Sequence, residues 1–322
     1  MMKEQTQNEP RLVAVCVADL HLSSKPPAAR SVEADWLRVQ ASYLDQLRRL
    51  AVSPTGEQRV PVIIPGDFFD KATAGPEVIN LALAHLPHCH GVWGNHDLPN
   101  HDPKQLRRSA FWTLVKAGKV TMLSPDAPVE VQGGGTVLRL HGFPFGSTVT
   151  PLREPHDLAL EVAVVHAYIW TKATGYAGAP SDQHRNRWLN RLTGYDAAFF
   201  GDNHKSFTFT PKKGAGPTLC NLGGFMRRKI DEMDHRPSAG LLYSDGSVKR
   251  HYFDVSQDQF INGDKLRKVT SGDSFSVFLE SLAELGDAAI DFAERVRRAL
   301  DQEKVDPEVR RLILGILDDA AG

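Results

Sequence analysis

The sequence predicts an α/β fold, and three observations carry that expectation. Strand-like and helix-like stretches alternate over the first hundred residues, the second half is richer in strands than in helices, and short polar motifs close the apolar runs. Residues 11–18, 60–65 and 91–93 are apolar runs that each end in a glycine- or acid-rich turn, the form of buried strands with functional loops behind them. Between them, residues 32–50 and 76–86 space their apolar side chains for helices, and Pro76 suits an early helical position. A third helix is expected over 103–117, then strands at 120–123 and 137–140, with Gly133, Gly134 and Gly135 turning between strands. Further strands are expected at 160–165, 197–200, 206–210, 218–222, 239–243 and 248–253. From 274 to 320 the pattern becomes helical, carried by residues such as Phe275, Phe278, Leu282, Ile290 and Val296. The organisation expected is a disordered tail over 1–10, a main domain over 11–255 and a helical segment over 256–322 that caps the site, docks a partner or packs on the core.

Composition narrows the field. A chain of 322 residues buries a large core without disulfide staples. Its 38 Lys+Arg against 39 Asp+Glu leave a net charge of -1, which excludes a globally basic nucleic-acid binder and leaves room for a local basic face. Cys16, Cys89 and Cys220 are odd in number and far apart, as reduced thiols are. The polar first ten residues and the lack of any run of about eighteen apolar residues lead to the expectation of a soluble, cytoplasmic protein without a membrane span.

The chemistry lies in five motifs at strand ends. Asp19-Leu20-His21 follows the first strand, so both side chains leave a rigid edge toward one ion; an Asp cap beside a surface His is the ordinary alternative. Gly66-Asp67 follows the second strand, its glycine letting backbone and ion approach closely. Gly94-Asn95-His96-Asp97 puts an amide oxygen, an imidazole and a carboxylate in one loop. His166 ends the run 160–165, where a core histidine bonded to backbone is the usual case, and Gly201-Asp202-Asn203-His204 ends the next strand with two more ligand-type side chains. The shared position is the strongest argument, because open α/β sheets build sites at the carboxyl edge of their strands.

This ordered set resembles the calcineurin-like metallophosphoesterase superfamily, whose D-x-H, G-D, G-N-H-D, H and G-H-x-H pattern it follows over residues 11–255. The resemblance implies a four-layer α/β/β/α sandwich with two mixed sheets. It also implies that Asp67 bridges two divalent ions, that Asp19, His21 and His204 complete one site, and that Asn95, His166 and Asp202 serve the other. Asp202 departs from the pattern, which has histidine there; a carboxylate hardens the site and favours Mn²⁺, or Mg²⁺, over Zn²⁺. The implied reaction is attack on phosphorus by a hydroxide held between ions roughly 3.5–4 Å apart. His96 then protonates the leaving oxygen, and Asp97 either orients the His96 ring or caps the turn.

Within the superfamily the chain is most similar to the SbcD-type DNA repair exonucleases, nuclease partners of coiled-coil ATPases. The supporting segments are Gly66-Asp67-Phe68-Phe69-Asp70, His141-Gly142-Phe143-Pro144-Phe145 and Asn221-Leu222-Gly223-Gly224-Phe225. That likeness implies DNA as substrate, a possible ATPase partner, and a homodimer through helices near 76–117. Lys205, Arg227 and Arg228 are candidate contacts to backbone phosphates, whereas Lys212 and Lys213 read as a solvated turn. The short helical tail departs from the larger capping region such proteins carry. Two other readings stand beside the nuclease: a phosphoesterase acting on a small molecule or phosphoprotein, and a non-catalytic metal-binding scaffold.

Overall fold

The computed structural model describes residues 9–261 apart from 53–56, 58, 154, 156–157, 177, 213–215 and 230–231. The tail expected over 1–10 therefore lies almost wholly outside the described residues, as do the helices expected over 274–320. Chain order is β1 (Leu12–Cys16), α1 (Trp36–Ala51), β2 (Val62–Pro65), α2 (Pro76–His85), β3 (Cys89–Val92), α3 (Ala110–Lys116), β4 (Val120–Met122), β5 (Val129–Gly133) and β6 (Thr136–Phe143). It continues with β7 (Ala159–His166), α4 (Arg185–Arg191), β8 (Ala197–Gly201), β9 (Phe207–Phe209), β10 (Thr218–Asn221), β11 (Ser238–Tyr243) and β12 (Val248–Tyr252).

These strands form two six-stranded mixed sheets, ordered β12-β11-β1-β2-β3-β4 and β5-β6-β7-β8-β10-β9. In the first, β1 to β4 run parallel and β11 joins β1 antiparallel; in the second, β6, β7, β8 and β10 run parallel between antiparallel edges. Side-chain alternation explains the layering. Ile63 of β2 faces the second sheet, meeting Leu138, Val162, Val164, Ala197 and Phe199 in one apolar layer. Val62 and Ile64, pointing the other way, pack with Leu44, Leu47, Val78 and Phe111 of α1, α2 and α3. Ala163, Val165, Ala198 and Phe200 turn their opposite face to Trp188 and Leu192 beside α4. The result is the expected α/β/β/α sandwich.

Some boundaries differ from expectation for local reasons. α1 starts at Trp36 and not at 32, because the Asp35 side chain caps it by accepting from the Arg38 N–H at 2.9 Å. The helix expected over 103–117 divides into a 3-10 turn, Pro103–Arg108, and α3. Ser109 makes the break: its hydroxyl donates to the Leu106 carbonyl at 2.7 Å and accepts from the Trp112 N–H at 3.1 Å. β5 and α4 lie outside the expected set; they are five and seven residues long. No helix among the described residues is long and apolar enough to cross a membrane.

Candidate metal centre

Parallel pairing brings the carboxyl ends of β1, β2, β3, β7 and β8 to one region, and all seven expected ligands follow from it. Asp19 and His21 come after β1, Asp67 after β2, Asn95 after β3, His166 ends β7, and Asp202 and His204 come after β8. Asp19, His21, Asp67 and His166 are each 1 % exposed. The loops are laced together by backbone: the His21 N–H donates to the Asp67 carbonyl at 3.0 Å, and the Asp202 N–H donates to the Asp19 carboxylate at 2.9 Å. Four of the seven, Asp19, His21, Asp67 and Asp202, hold φ at +51°, +44°, +54° and +90°, a region that L-residues rarely adopt. Glycine is required beside them. A Cβ on Gly94 would lie 2.0 Å from Asp67 Oδ1, and one on Gly66, itself at φ +94°, would lie 2.2 Å from His166 Nδ1.

Donor atoms converge in a way that suits cations. Asp67 Oδ2 lies 3.6 Å from His21 Nε2 while Oδ1 lies 3.6 Å from His166 Nε2, so its two oxygens face two sets of ligands. His166 Nδ1 donates to the Pro65 carbonyl at 2.7 Å, which leaves a lone pair on Nε2 only 3.0 Å from the amide oxygen of Asn95. With the imidazole neutral two acceptors face each other there, and only a proton on Nε2 or a cation joins them. Across the site, His21 Nε2 and His204 Nε2 stand 3.1 Å apart. The side chains of Asp19, Asp67 and His166 form one group whose donor atoms all lie within 4.8 Å of one another, and His21, Asp70 and His96 form a second.

Electrostatics agree with the donor set. Burial, with the charge of Asp67 adding and that of His204 opposing, raises the Asp19 carboxyl to about 7. Burial lowers His166, but the charges of Asp67, Asp202 and Asp19 outweigh it and bring the imidazole up to about 9. His21 is held well below its usual range, first by burial and then by His96, Arg228 and His204. The Asp202 carboxyl, partly open to solvent, is raised by the protein enclosing it, with Asp67 adding and His166 opposing. Divalent cations would reverse the protonation of both the acids and His166, and would reconcile the facing acceptors. The residues present therefore fit a dinuclear metal site.

Other residues support these ligands. Glu232 Oε1 stands 3.6 Å from His204 Nδ1, and its second oxygen accepts from the Arg228 and Lys229 N–H groups at 2.6 and 3.0 Å. Burial would raise the Glu232 carboxyl, yet its hydrogen bond and charge contact with His204 and these N–H groups hold it down at about 2. It turns His204 Nε2 toward the site as a carboxylate behind a ligating imidazole does. Asp70 also belongs here: its carbonyl accepts from His96 Nδ1 at 2.8 Å, and its carboxylate pairs with Arg228 at 2.5 Å and lies 3.9 Å from His21 Nδ1. From the sequence alone Asp70 has no role of its own and Glu232 is missed.

The expected role of Asp97 in orienting His96 is corrected. Its buried carboxylate accepts from the N–H groups of Phe68, Phe69 and Gly94 at 3.1, 3.3 and 2.9 Å, fastening the Asp67 loop to the Asn95 loop. His96 is set instead by the Asp70 carbonyl, and its own N–H donates to Asp67 Oδ1 at 3.1 Å. Arg227, expected at the substrate, spends its guanidinium on Asp258 at 2.8 Å and on the carbonyls of Met233 and Val255, both at 3.0 Å. Arg228 sits at the centre, paired with Asp70, and Lys205 is exposed beside His204. Lys212 is exposed, whereas Lys213 lies outside the described residues.

Two packed sheets carrying an Asp/His/Asn set around Asp67, whose two oxygens face His21 and His166, define a candidate metal-dependent hydrolase. The chain belongs to the calcineurin-like phosphoesterases, whose family model matches residues 12–206. Among solved structures it is similar to the Thermus thermophilus sulfate thiohydrolase SoxB, at 12 % identity and a TM-score of 0.46, covering 87 % of this chain and 62 % of that one. It is also similar to the calcineurin-like phosphoesterase YfkN from Bacillus subtilis, at 11 % identity and 0.42, covering 81 % and 96 %. A third is the phosphopantetheinyl hydrolase PptH from Mycobacterium tuberculosis, at 14 % and 0.40, covering 77 % and 98 %. The chain spans 62 % of SoxB and 53 % of the 5'-nucleotidase precursor from Thermus thermophilus. A search of curated proteins finds no match.

Proposed function

We propose that this metal-dependent phosphoesterase is a DNA nuclease of the exonuclease or end-processing kind, working with two Mn²⁺ ions, or Mg²⁺. Asp67 would bridge the ions, Asp19, His21 and His204 would hold one, and Asn95, His166 and Asp202 the other. When bound, such ions supply a water nucleophile usable near neutral pH and neutralise the phosphoryl oxygens. The oxygen-rich set around Asp202 supports the harder metals.

The protein's own part is positioning and proton transfer. His96 is the acid of this reading: with Nδ1 donating to the Asp70 carbonyl, Nε2 is left to hold a proton and deliver it to the leaving oxygen. Its ring stands edge-on to His21 at 4.6 Å, so that proton is carried beside the metal ligands. The observation that carries the nucleic-acid reading is Arg228. It lies close enough to help hold His21 down and to oppose the rise of His204, it is paired with Asp70, and its buried Nε has no hydrogen-bond partner. A guanidinium with an unused donor at the metals suits a backbone phosphate, and exposed Lys205 supplies a second cation at the mouth.

Purified protein with Mn²⁺ should cleave labelled duplex or single-stranded DNA, and removing the ions should stop it. Cleavage of a small chromogenic diester with no cleavage of either DNA would transfer the site to a small-molecule substrate. Hydrolysis of none of them would leave the metal-binding scaffold.

A further inference from the structure

The segment between β7 and α4 carries aromatic and cationic side chains that the metal centre does not use. Tyr168 comes two residues after the ligand His166, and its ring lies 5.4 Å from that of Tyr176 at an interplanar angle of 56°. Tyr176 is 52 % exposed. Two residues beyond Tyr168, the Trp170 ring stands edge-on to His184 at 4.6 Å, its indole N–H fixed on the Pro180 carbonyl at 2.8 Å. Trp170 and His184 line an open groove whose rim includes Arg187. Lys172 and Arg187 are exposed, and among the described residues neither has an acidic partner.

The segment is anchored to the metal site. Asn203, between the ligands Asp202 and His204, donates its side-chain amide to the Ile169 carbonyl at 2.7 Å and the Thr174 carbonyl at 3.5 Å. One exposed ring, Tyr176, and two half-buried ones, Tyr168 and Trp170, interleaved with unpaired cations, are a pattern that suits a single strand: bases stack on rings only when unpaired, and phosphates need cations at intervals.

We propose that this segment is a track for single-stranded nucleic acid leading from the Asp202 side of the metal centre, with Tyr168, Tyr176 and Trp170 stacking unpaired bases and Lys172 and Arg187 holding phosphates. It rests on the nucleic-acid reading above and specifies the strand form presented to the site. A double-stranded end would have to open before its bases reached the rings.

The test is anisotropy of a labelled phosphorothioate oligothymidylate, resistant to cleavage, and of its abasic counterpart. Wild-type protein should bind the base-bearing strand more tightly. Tyr176→Ala should weaken that strand by about 10-fold and leave the abasic one unchanged, since stacking is lost and charge is kept. Tyr176→Phe should restore wild-type binding. The double variant Lys172→Gln with Arg187→Gln should weaken both strands and flatten their salt dependence. Equal binding of the two strands by wild type, or full affinity in Tyr176→Ala, overturns the track. The nuclease reading fails separately, on absence of DNA cleavage, and a Tyr176-dependent binder that cleaves nothing would leave the track standing.

Discussion

Asp97 offers a quantitative test of how the site is held together. Its fully buried carboxylate collects three backbone N–H groups from two loops, those of Phe68, Phe69 and Gly94. In Asp97→Asn the amide oxygen can still serve Phe68 and Phe69, but the amide N–H₂ then faces the Gly94 N–H, donor against donor. One buried donor left unpaired costs about 1–3 kcal/mol. Asp97→Ala strands all three donors and should cost about 3 kcal/mol or more by the same reckoning. For a domain of this size each kcal/mol lowers the melting temperature by about 2–4 °C. Denaturant titration of both variants, beside hydrolysis of a small diester, reads the two effects together. Stability and hydrolysis should fall in the same order, wild type above Asn above Ala. A Asp97→Asn protein as stable as wild type but more than 100-fold slower would refute the fastening role and return Asp97 to the chemistry of His96.

Other perturbations address the centre and its supports. His96→Ala should lower hydrolysis by about 10²- to 10⁴-fold with metal content unchanged; loss of an ion by atomic emission would instead make His96 a ligand, as its grouping with His21 and Asp70 allows. In chelator-treated protein, Asp19 at about 7 binds its proton more tightly folded than unfolded, so stability falls as pH rises from about 4 to 7. His166, raised to about 9, adds stability below its unfolded value near 6.5 that is lost through pH 9. Below about pH 6.5 the depressed His21 works the other way, adding stability as pH rises, so denaturation midpoints should decline from about pH 7 to 9 in chelator, and saturating Mn²⁺ should flatten or reverse that slope; identical slopes would contradict the metal role of these groups. Asp258→Ala removes one of the two acids that hold Arg30, a fully buried guanidinium that keeps Glu33, and the acid paired with Arg227. It should cost about 1–3 kcal/mol in a denaturant melt, and no loss would show these charges reaching solvent.

The fold and the clustering of the candidate ligands were legible because both are written locally. A buried parallel strand is a short apolar run, and a ligand placed at its end is the first polar residue after it, so Asp19, Asp67, Asn95, His166 and Asp202 announce themselves. Supports held by tertiary contact have no such signal. Glu232 comes 28 positions after His204, outside any strand or α-helix, and only folding brings it behind that imidazole. Arg227 and Arg228 are adjacent in sequence and read alike, yet one pairs with Asp258 and the other meets Asp70 at the candidate metal centre. Asp97 was half legible: its capping role follows from any Asp in a turn, but the identity of the loop it fastens does not. α1 shows a different failure, since apolar spacing ran back to Val32 although the Asp35 cap was present in the sequence.

Backbone strain at the ligands was invisible in the sequence and has a consequence at Asp202. This residue holds φ at +90° while its N–H reaches the Asp19 carboxylate at 2.9 Å, so one unusual backbone turn both aims a side chain and steadies a neighbouring ligand. Such a conformation costs an L-residue roughly 1–3 kcal/mol, and glycine escapes it. Asp202→Ala and Asp202→Gly both delete the carboxylate, but only the glycine variant also relieves the backbone. If Asp202 is a ligand, both should fall from two Mn²⁺ ions per chain to one on metal titration. If the turn is strained, the glycine protein should be more stable than the alanine protein in chelator by about 1 kcal/mol or more, despite glycine's greater freedom when unfolded. Two ions retained in both variants would remove Asp202 from the metal site, and alanine at least as stable as glycine would show that the +90° turn stores no strain.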